Sequence, residues 1–275
     1  MTLSNGRRMY FREYGWRHSA RTPVLCLSGL ARNSGDFSAL ATRLSETRRV
    51  IAPDYRGRGR SDYDPDWRNY APAVCADDIR NLIAATNLHG FIIIGTSYGG
   101  ILSIVLSLIV ATAIRAIVMN DVGPQVDVKG GKRILRYIRD WPPQPDWPTA
   151  IAAVRANMPK LSLKTDAEWM GFARSTYREG TDGKLYKNWD GKIVEPFLHG
   201  SDPYADLWRM YRGIRNIPTL VVRGGASDIL SEETLARMKA EKPDLVSVTV
   251  PGVGHAPSLA EPDSAAALND FLVRY

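Results

Sequence analysis

The chain has 275 residues, of which 44% are hydrophobic and 24% charged, with a formal net charge of +7 and two cysteines. Those totals are ordinary for a soluble globular protein large enough for a sizeable core, and Cys26 and Cys75 offer neither a disulfide framework nor metal-ligand spacing. The positive charge is concentrated in residues 1–60, where twelve Arg face Glu13, Asp36, Glu46 and Asp54; these arginines are scattered and no nucleic-acid-binding motif accompanies them, so anionic small molecules are better expected partners than nucleic acid.

The first twenty residues contain no apolar h-region, so no secretory signal is expected. With two cysteines placed in predicted elements as buried thiols, this favours a cytoplasmic protein. Met9 to Tyr14 reads as a strand, and Pro23 to Leu27 as a short strand buried on both faces. After the loop from Ser28 to Ser34, a helix over Phe37 to Leu44 is expected, capped by Ser34 or Asp36. Arg49 to Ala52 is another strand, running into a Gly- and Arg-rich loop over 53–62. A helix over Ala73 to Thr86, a strand over Phe91 to Ile94, a buried helix from Ile101 to about Thr112 and a strand over Ile114 to Met119 follow. Ile101 to Met119 is the one stretch worth weighing as a membrane span; Arg115 interrupts it, and no membrane association is expected. Strands alternating with helices predict an α/β fold, a mostly parallel doubly wound sheet.

The alternation breaks after Pro124. Residues 124–212 read as an inserted, mainly helical lid, with helices expected over Lys132 to Arg139, Thr149 to Met158, Asp166 to Glu179 and Tyr204 to Arg212, and with no strand-like run of comparable quality. Five of the seven tryptophans fall here: Trp141, Trp147, Trp169, Trp189 and Trp208. The α/β pattern resumes with a strand over Pro218 to Val222, a helix from Ser231 to about Ala240, a strand over Leu245 to Val250 and a closing helix over Glu261 to Val273. Residues 1–123 and 213–275 are therefore expected to form the core, as a monomer or homodimer.

Between strand and helix lies Gly95-Thr96-Ser97-Tyr98-Gly99-Gly100. Strand, sharp turn and helix are the context in which G-x-S-x-G exposes a nucleophile, here Ser97. Its hydroxyl needs a base, and His255, in the loop after the last strand, is suited to that task near neutral pH. The base needs an acid to hold its tautomer. Asp228 and Asp121 both follow strands and both precede His255 in the expected order Ser, Asp, His; Asp228 is the expected acid and Asp121 its competitor. The oxyanion of an acyl-transfer reaction also needs donors. The backbone N–H after the nucleophile, Tyr98, is one; Leu30, preceded by Gly29 in the early loop, is the other expectation. The side chains of Leu30 and Tyr98 are then free to line a pocket.

These segments resemble the α/β-hydrolase superfamily, and more narrowly its lidded group of small carboxylesterases, cofactor-free haloperoxidases and carbon–carbon bond hydrolases. The resemblance rests on Asp54-Tyr55-Arg56-Gly57-Arg58-Gly59-Arg60-Ser61-Asp62, which looks like that group's D-x-R-G-x-G-x-S loop, on GTSYGG at 95–100, on RGGASDIL at 223–230 and on PGVGHAPSLAEP at 251–262. It departs at the oxyanion loop, where Ser28-Gly29 stands for the usual His-Gly. The resemblance implies a serine hydrolase of carboxylic esters working without metal or organic cofactor. An elbow serine rather than aspartate argues against haloalkane dehalogenases and most epoxide hydrolases of this fold. Aromatic residues of the lid, with Trp141, Trp147 and Trp208 as pocket candidates, suggest an apolar acyl or aryl group. A carbon–carbon bond hydrolase acting on ring-cleavage diketones is the alternative, with a lid arginine such as Arg136, Arg139 or Arg174 for the carboxylate. A non-enzymatic ligand receptor is the reading from another class.

Overall fold

The computed structural model describes residues 1–3, 5–158, 160–199 and 207–275. In chain order the elements are β1 (Phe11–Tyr14), β2 (Arg21–Leu27), α1 (Ser38–Leu44), β3 (Arg48–Pro53), α2 (Pro72–Ala85), β4 (Phe91–Thr96), α3 (Tyr98–Leu106) and β5 (Ile114–Asn120). An insertion then holds α4 (Val128–Asp140), α5 (Trp147–Asn157), α6 (Asp166–Thr176), β6 (Tyr177–Glu179), β7 (Leu185–Lys187) and α7 (Glu195–His199), and α8 (Leu207–Gly213), expected as part of the lid, packs instead on the sheet beside α3. The chain ends with β8 (Thr219–Gly224), α9 (Glu232–Glu241), β9 (Val246–Val250) and α10 (Pro262–Val273).

Seven strands form one sheet in the order β1-β3-β2-β4-β5-β8-β9, parallel except for β1. The strands alternate between two apolar faces because successive side chains point to opposite sides. Leu25, Leu27, Ile51, Phe91, Ile93, Ile117 and Met119 pack against α2, α3, α8 and α9. Val24, Cys26, Val50, Ala52, Ile92, Ile94 and Val118 pack against α1 and α10. Parallel strands all present their carboxyl ends at one edge, where functional groups of such sheets gather.

Several element ends differ from the sequence expectation for local reasons. α3 stops at Leu106, and the Ser107 hydroxyl turns back to the Ile104 carbonyl (2.6 Å). α4 starts at Val128, capped by Asp127, which accepts from the Lys129 and Gly130 N–H groups. α6 ends at Thr176 because Tyr177–Glu179 pairs with Leu185–Lys187 in a hairpin that the sequence did not signal. Tyr204 to Asp206, expected to begin a helix, lie outside the described residues.

Much of the positive charge of residues 1–60 is turned inward. Arg32, Arg48, Arg49, Arg56 and Arg58 are all buried. Arg56 is enclosed with Asp78 (2.6 Å) and Asp64 (3.2 Å), and Arg49 pairs with Glu13 (2.8 Å).

Candidate active site

Ser97 stands between β4 and α3 with φ 54° and ψ −119°, a strained conformation that persists only where its surroundings enforce it. Its N–H donates to the Asn120 carbonyl (2.9 Å), and its own carbonyl accepts from the Gly100 N–H (2.8 Å). Strand and helix meet so closely that a Cβ on Gly95 would lie 2.5 Å from the Gly99 carbonyl, and one on Gly99 2.0 Å from the Leu27 oxygen.

The structure brings His255 to this serine. Its Nε2 is 2.8 Å from Ser97 Oγ, and its Nδ1 is 2.8 Å from Asp121 Oδ2. A carboxylate only accepts, so Nδ1 carries the hydrogen and Nε2 is left to accept the serine proton. Asp121 is fully buried, and its other oxygen, Oδ1, accepts the Gly224 N–H (2.8 Å) from the end of β8. The carboxylate is thus pinned from a neighbouring strand while it orients the imidazole.

Asp228, expected to be the acid, does not contact His255. Both its oxygens are taken by the Arg133 guanidinium of α4, at 2.7 and 2.8 Å. The Arg133 hydrogen bonds hold its carboxyl below the usual aspartate range. The sequence order is preserved either way, which is why order did not separate the two aspartates. One signal does: Asp121 directly follows β5, as Ser97 directly follows β4, whereas Gly225, Ala226 and Ser227 separate Asp228 from β8.

Tyr98, one expected oxyanion donor, follows the serine directly, and Leu30, the other, borders the same cavity as Ser97. Neither the Leu30 nor the Tyr98 N–H has an acceptor among the described residues, and a Cβ on Gly29 would lie 3.7 Å from Ser97 Cβ. The residues of the D-x-R-G-x-G-x-S-like loop brace this region. Arg58, fully buried, donates from Nε to the Leu30 carbonyl (2.7 Å), and Tyr55 donates from its hydroxyl to the Ser28 carbonyl (3.2 Å). Asp54 holds the Ser34 and Arg60 N–H groups at 2.7 and 2.9 Å. The Tyr98 side chain does not line a pocket: it is buried in the core, edge-on to Tyr55 at 5.8 Å and to Phe197 at 6.2 Å.

A cavity of about 750 Å³ opens beside Ser97 and His255. Leu30, Phe37, Leu40, Ile134, Tyr137 and Phe172 are among its apolar walls, and Arg32 and Arg133 bring guanidinium groups to it. Arg32 is buried, paired with Asp36 (2.6 Å) and stacked on Phe172 at 3.8 Å. Trp141, Trp147 and Trp208 do not border this cavity. Trp141 belongs with Trp169 and Trp189 to an apolar cluster built mainly from the insertion, closed by Ala31 and Tyr70 of the core. Trp147 lies under Arg174 at 5.8 Å, and Trp208 is covered by Arg237 at 3.7 Å. A helical insertion must bury an apolar face to be stable, and its aromatics are used for that. Among the described residues no group of three or more His, Cys, Asp and Glu side chains is placed to hold a metal ion, and no helix is long and apolar enough to cross a membrane.

The model of the alpha/beta hydrolase family matches residues 24–268. The chain belongs to that family. This hydrolase is similar to the 3-hydroxybutyrate-oligomer hydrolase of Cupriavidus necator, 31% identical over 96% of this chain and 92% of that one. It is also similar to the 2-(acetamidomethylene)succinate hydrolase of Mesorhizobium japonicum, 28% identical over 90% of this chain and 87% of that one. The crystal structure of an alpha/beta hydrolase from Novosphingobium aromaticivorans superposes with a TM-score of 0.92 at 40% identity, covering 100% of this chain and 97% of that one.

In this hydrolase the insertion is fastened to the core beside the histidine. The Gly254 N–H donates to the Lys160 carbonyl (2.8 Å), and the Ser162 hydroxyl donates to Glu261. Glu261 also accepts the Ser258 N–H (2.7 Å) and the Ser264 hydroxyl (2.6 Å). Burial pushes this carboxyl up, and those hydrogen bonds outweigh it, so its pKa lies below the ordinary glutamate value. A depressed folded-state pKa stabilises the fold above the unfolded value of about 4.3, and the contribution disappears as pH falls through the folded value. The thermal midpoint of Glu261→Gln should therefore lie below that of the parent at pH 7, with the gap closing below about pH 4. A gap that does not change with pH across the acid range would contradict this.

Proposed function

We propose that this hydrolase cleaves carboxylic esters through an acyl-enzyme on Ser97. The relay from Ser97 Oγ through His255 to Asp121, at 2.8 Å and 2.8 Å, carries the reading. Ser97 Oγ attacks the ester carbonyl carbon as His255 Nε2 takes its proton. The carbonyl oxygen gains the negative charge beside the Leu30 and Tyr98 N–H groups, where preorganised donors stabilise the transition state. The tetrahedral intermediate collapses, the C–O bond to the alcohol breaks, and His255 returns the proton to the departing oxygen. Water, deprotonated by His255, then attacks the acyl-enzyme and releases the acid and free Ser97. Each bond formed is matched by a bond broken, every proton passes through His255, and no step changes an oxidation state.

The apolar walls suit a short acyl chain. The Cupriavidus relative, by its name a hydrolase of 3-hydroxybutyrate oligomers, supports esters of short hydroxy acids as substrates. Arg133, half-exposed on the cavity wall, favours a second reading, cleavage of a carbon–carbon bond in an anionic diketone. Arg133 was not among the arginines expected for that role: Arg139 pairs with Asp140 and Arg174 covers Trp147. Steady-state turnover of p-nitrophenyl butyrate and of a dienoate diketone decides between them. Ester turnover exceeding diketone turnover by at least about tenfold in kcat/KM, a difference of about 1.4 kcal/mol in transition-state stabilisation, is expected. Diketone cleavage without ester hydrolysis would overturn the ester reading.

A further inference from the structure

The insertion turns one face of α4 toward the cavity. Arg133 and Tyr137, four residues apart and so neighbours on one side of that helix, both border the cavity that holds Ser97 and His255. Arg32, from the loop after β2, borders it too. Of the cavity's two carboxylates, Asp36 is held by Arg32 at 2.6 and 2.7 Å, and Glu168 caps α6 through the Lys164 and Thr165 N–H groups.

Arg133 and Tyr137 keep donors in reserve. Asp228, which does not border the cavity, takes Arg133 Nε and Nη2 and leaves both Nη1 hydrogens without an acceptor among the described residues. The Arg133 side chain is 42% exposed, so a ligand can reach it. The Tyr137 ring is seated edge-on against Trp141 (5.4 Å) and Trp189 (6.2 Å), and its hydroxyl has no partner among the described residues. Unlike the Tyr98 and Tyr177 hydroxyls, it is not sealed from solvent. Burial raises the pKa of this phenol against the pull of the Arg32 and Arg133 charges, so at neutral pH it carries a hydrogen to donate.

We propose that Arg133 and Tyr137 form a carboxylate-binding subsite, and that the preferred substrate is an ester carrying a free carboxylate away from the scissile bond. The assignment rests on the ester-hydrolase reading above and gives Arg133 its role within that reading. A guanidinium N–H and a phenol O–H side by side match the two oxygens of a carboxylate, and hydrogen bonds with a charged partner are about twice as strong as neutral ones. A phosphate dianion needs more positive charge than a guanidinium already shared with Asp228. An ammonium is repelled by that guanidinium, and a methyl offers the two donors no acceptor.

The test compares two anionic esters with their neutral carboxamides. Monoethyl adipate carries its carboxylate on the acyl side, and 3-(butanoyloxy)butanoate carries it on the alcohol side; each is paired with the compound in which –COO⁻ is –CONH₂. In the parent, kcat/KM for at least one anionic ester is expected to exceed that of its carboxamide by about tenfold or more. That preference should fall about tenfold in Arg133→Gln and severalfold in Tyr137→Phe, which keeps the ring against the two tryptophans. Loss of the half-exposed Arg133–Asp228 pair leaves the fold standing, since such pairs contribute little. A preference that either variant retains in full overturns the subsite. Anionic and neutral esters turned over alike by the parent also overturn it and leave the ester reading standing. Turnover of none of the four compounds overturns both.

Discussion

Asp121→Asn lowers kcat for ester hydrolysis by about 10³–10⁴-fold, the scale set by the same change in a Ser-His-Asp triad, while Asp228→Asn leaves it within a few-fold. The reason is local. Asp121 Oδ1 already accepts the Gly224 N–H, so an asparagine keeps its carbonyl oxygen there and turns its NH₂ toward His255 Nδ1. Nδ1 must then accept, the hydrogen moves to Nε2, and the ring no longer takes the serine proton. Asp228 instead pairs with Arg133 where both side chains are nearly half exposed (43% and 42%), and such pairs contribute about 0–1 kcal/mol. Steady-state kinetics on p-nitrophenyl butyrate separates the two aspartates. A larger loss in Asp228→Asn would return the acid role to the loop after β8.

Ser97→Ala is expected to lose about 10⁶-fold in kcat, as removal of a triad nucleophile does, with the fold intact. Alanine has the same Cβ as serine, so the φ of 54° costs no more than before, and His255 Nε2 is the one partner that Ser97 Oγ loses among the described residues. Residual turnover from the oxyanion donors and binding remains. Circular dichroism and the thermal midpoint should match the parent while p-nitrophenol release falls to near background. Retained turnover would show that another group performs the attack.

The sheet was legible because its strands are short apolar runs bounded by Gly, Pro and Asp, and because helices alternate with them. Ser97 and His255 were legible for the same reason: each lies just beyond a strand, and parallel strands bring such positions to one edge. The acid was not, since Asp121 and Asp228 both satisfy that rule. Their distances from the strand ends differ by three residues, which strand-like runs do not fix to the residue, and the contact that draws Asp228 away from the site comes from far along the chain, Arg133 on α4. The same limit applies to the tryptophans. Aromatic richness in residues 124–212 is equally compatible with a pocket and with a core, and packing used Trp141, Trp169 and Trp189 for the core. The cavity instead takes Phe172, Tyr137 and Ile134 from the insertion, residues no local pattern distinguishes from their neighbours. Arg58 shows a third case: nothing local in the Gly- and Arg-rich loop marks it as buried, and the loop folds it inward to hold the Leu30 carbonyl.

The proposed mechanism makes Ser97 a nucleophile activated by His255 and Asp121. Treatment with a fluorophosphonate probe followed by peptide mass spectrometry tests it most directly. One covalent adduct is expected, on Ser97, absent in Ser97→Ala, slowed by orders of magnitude in Asp121→Asn and formed at near-parental rate in Asp228→Asn. An unlabelled parent protein, or an adduct on any other residue, would contradict it.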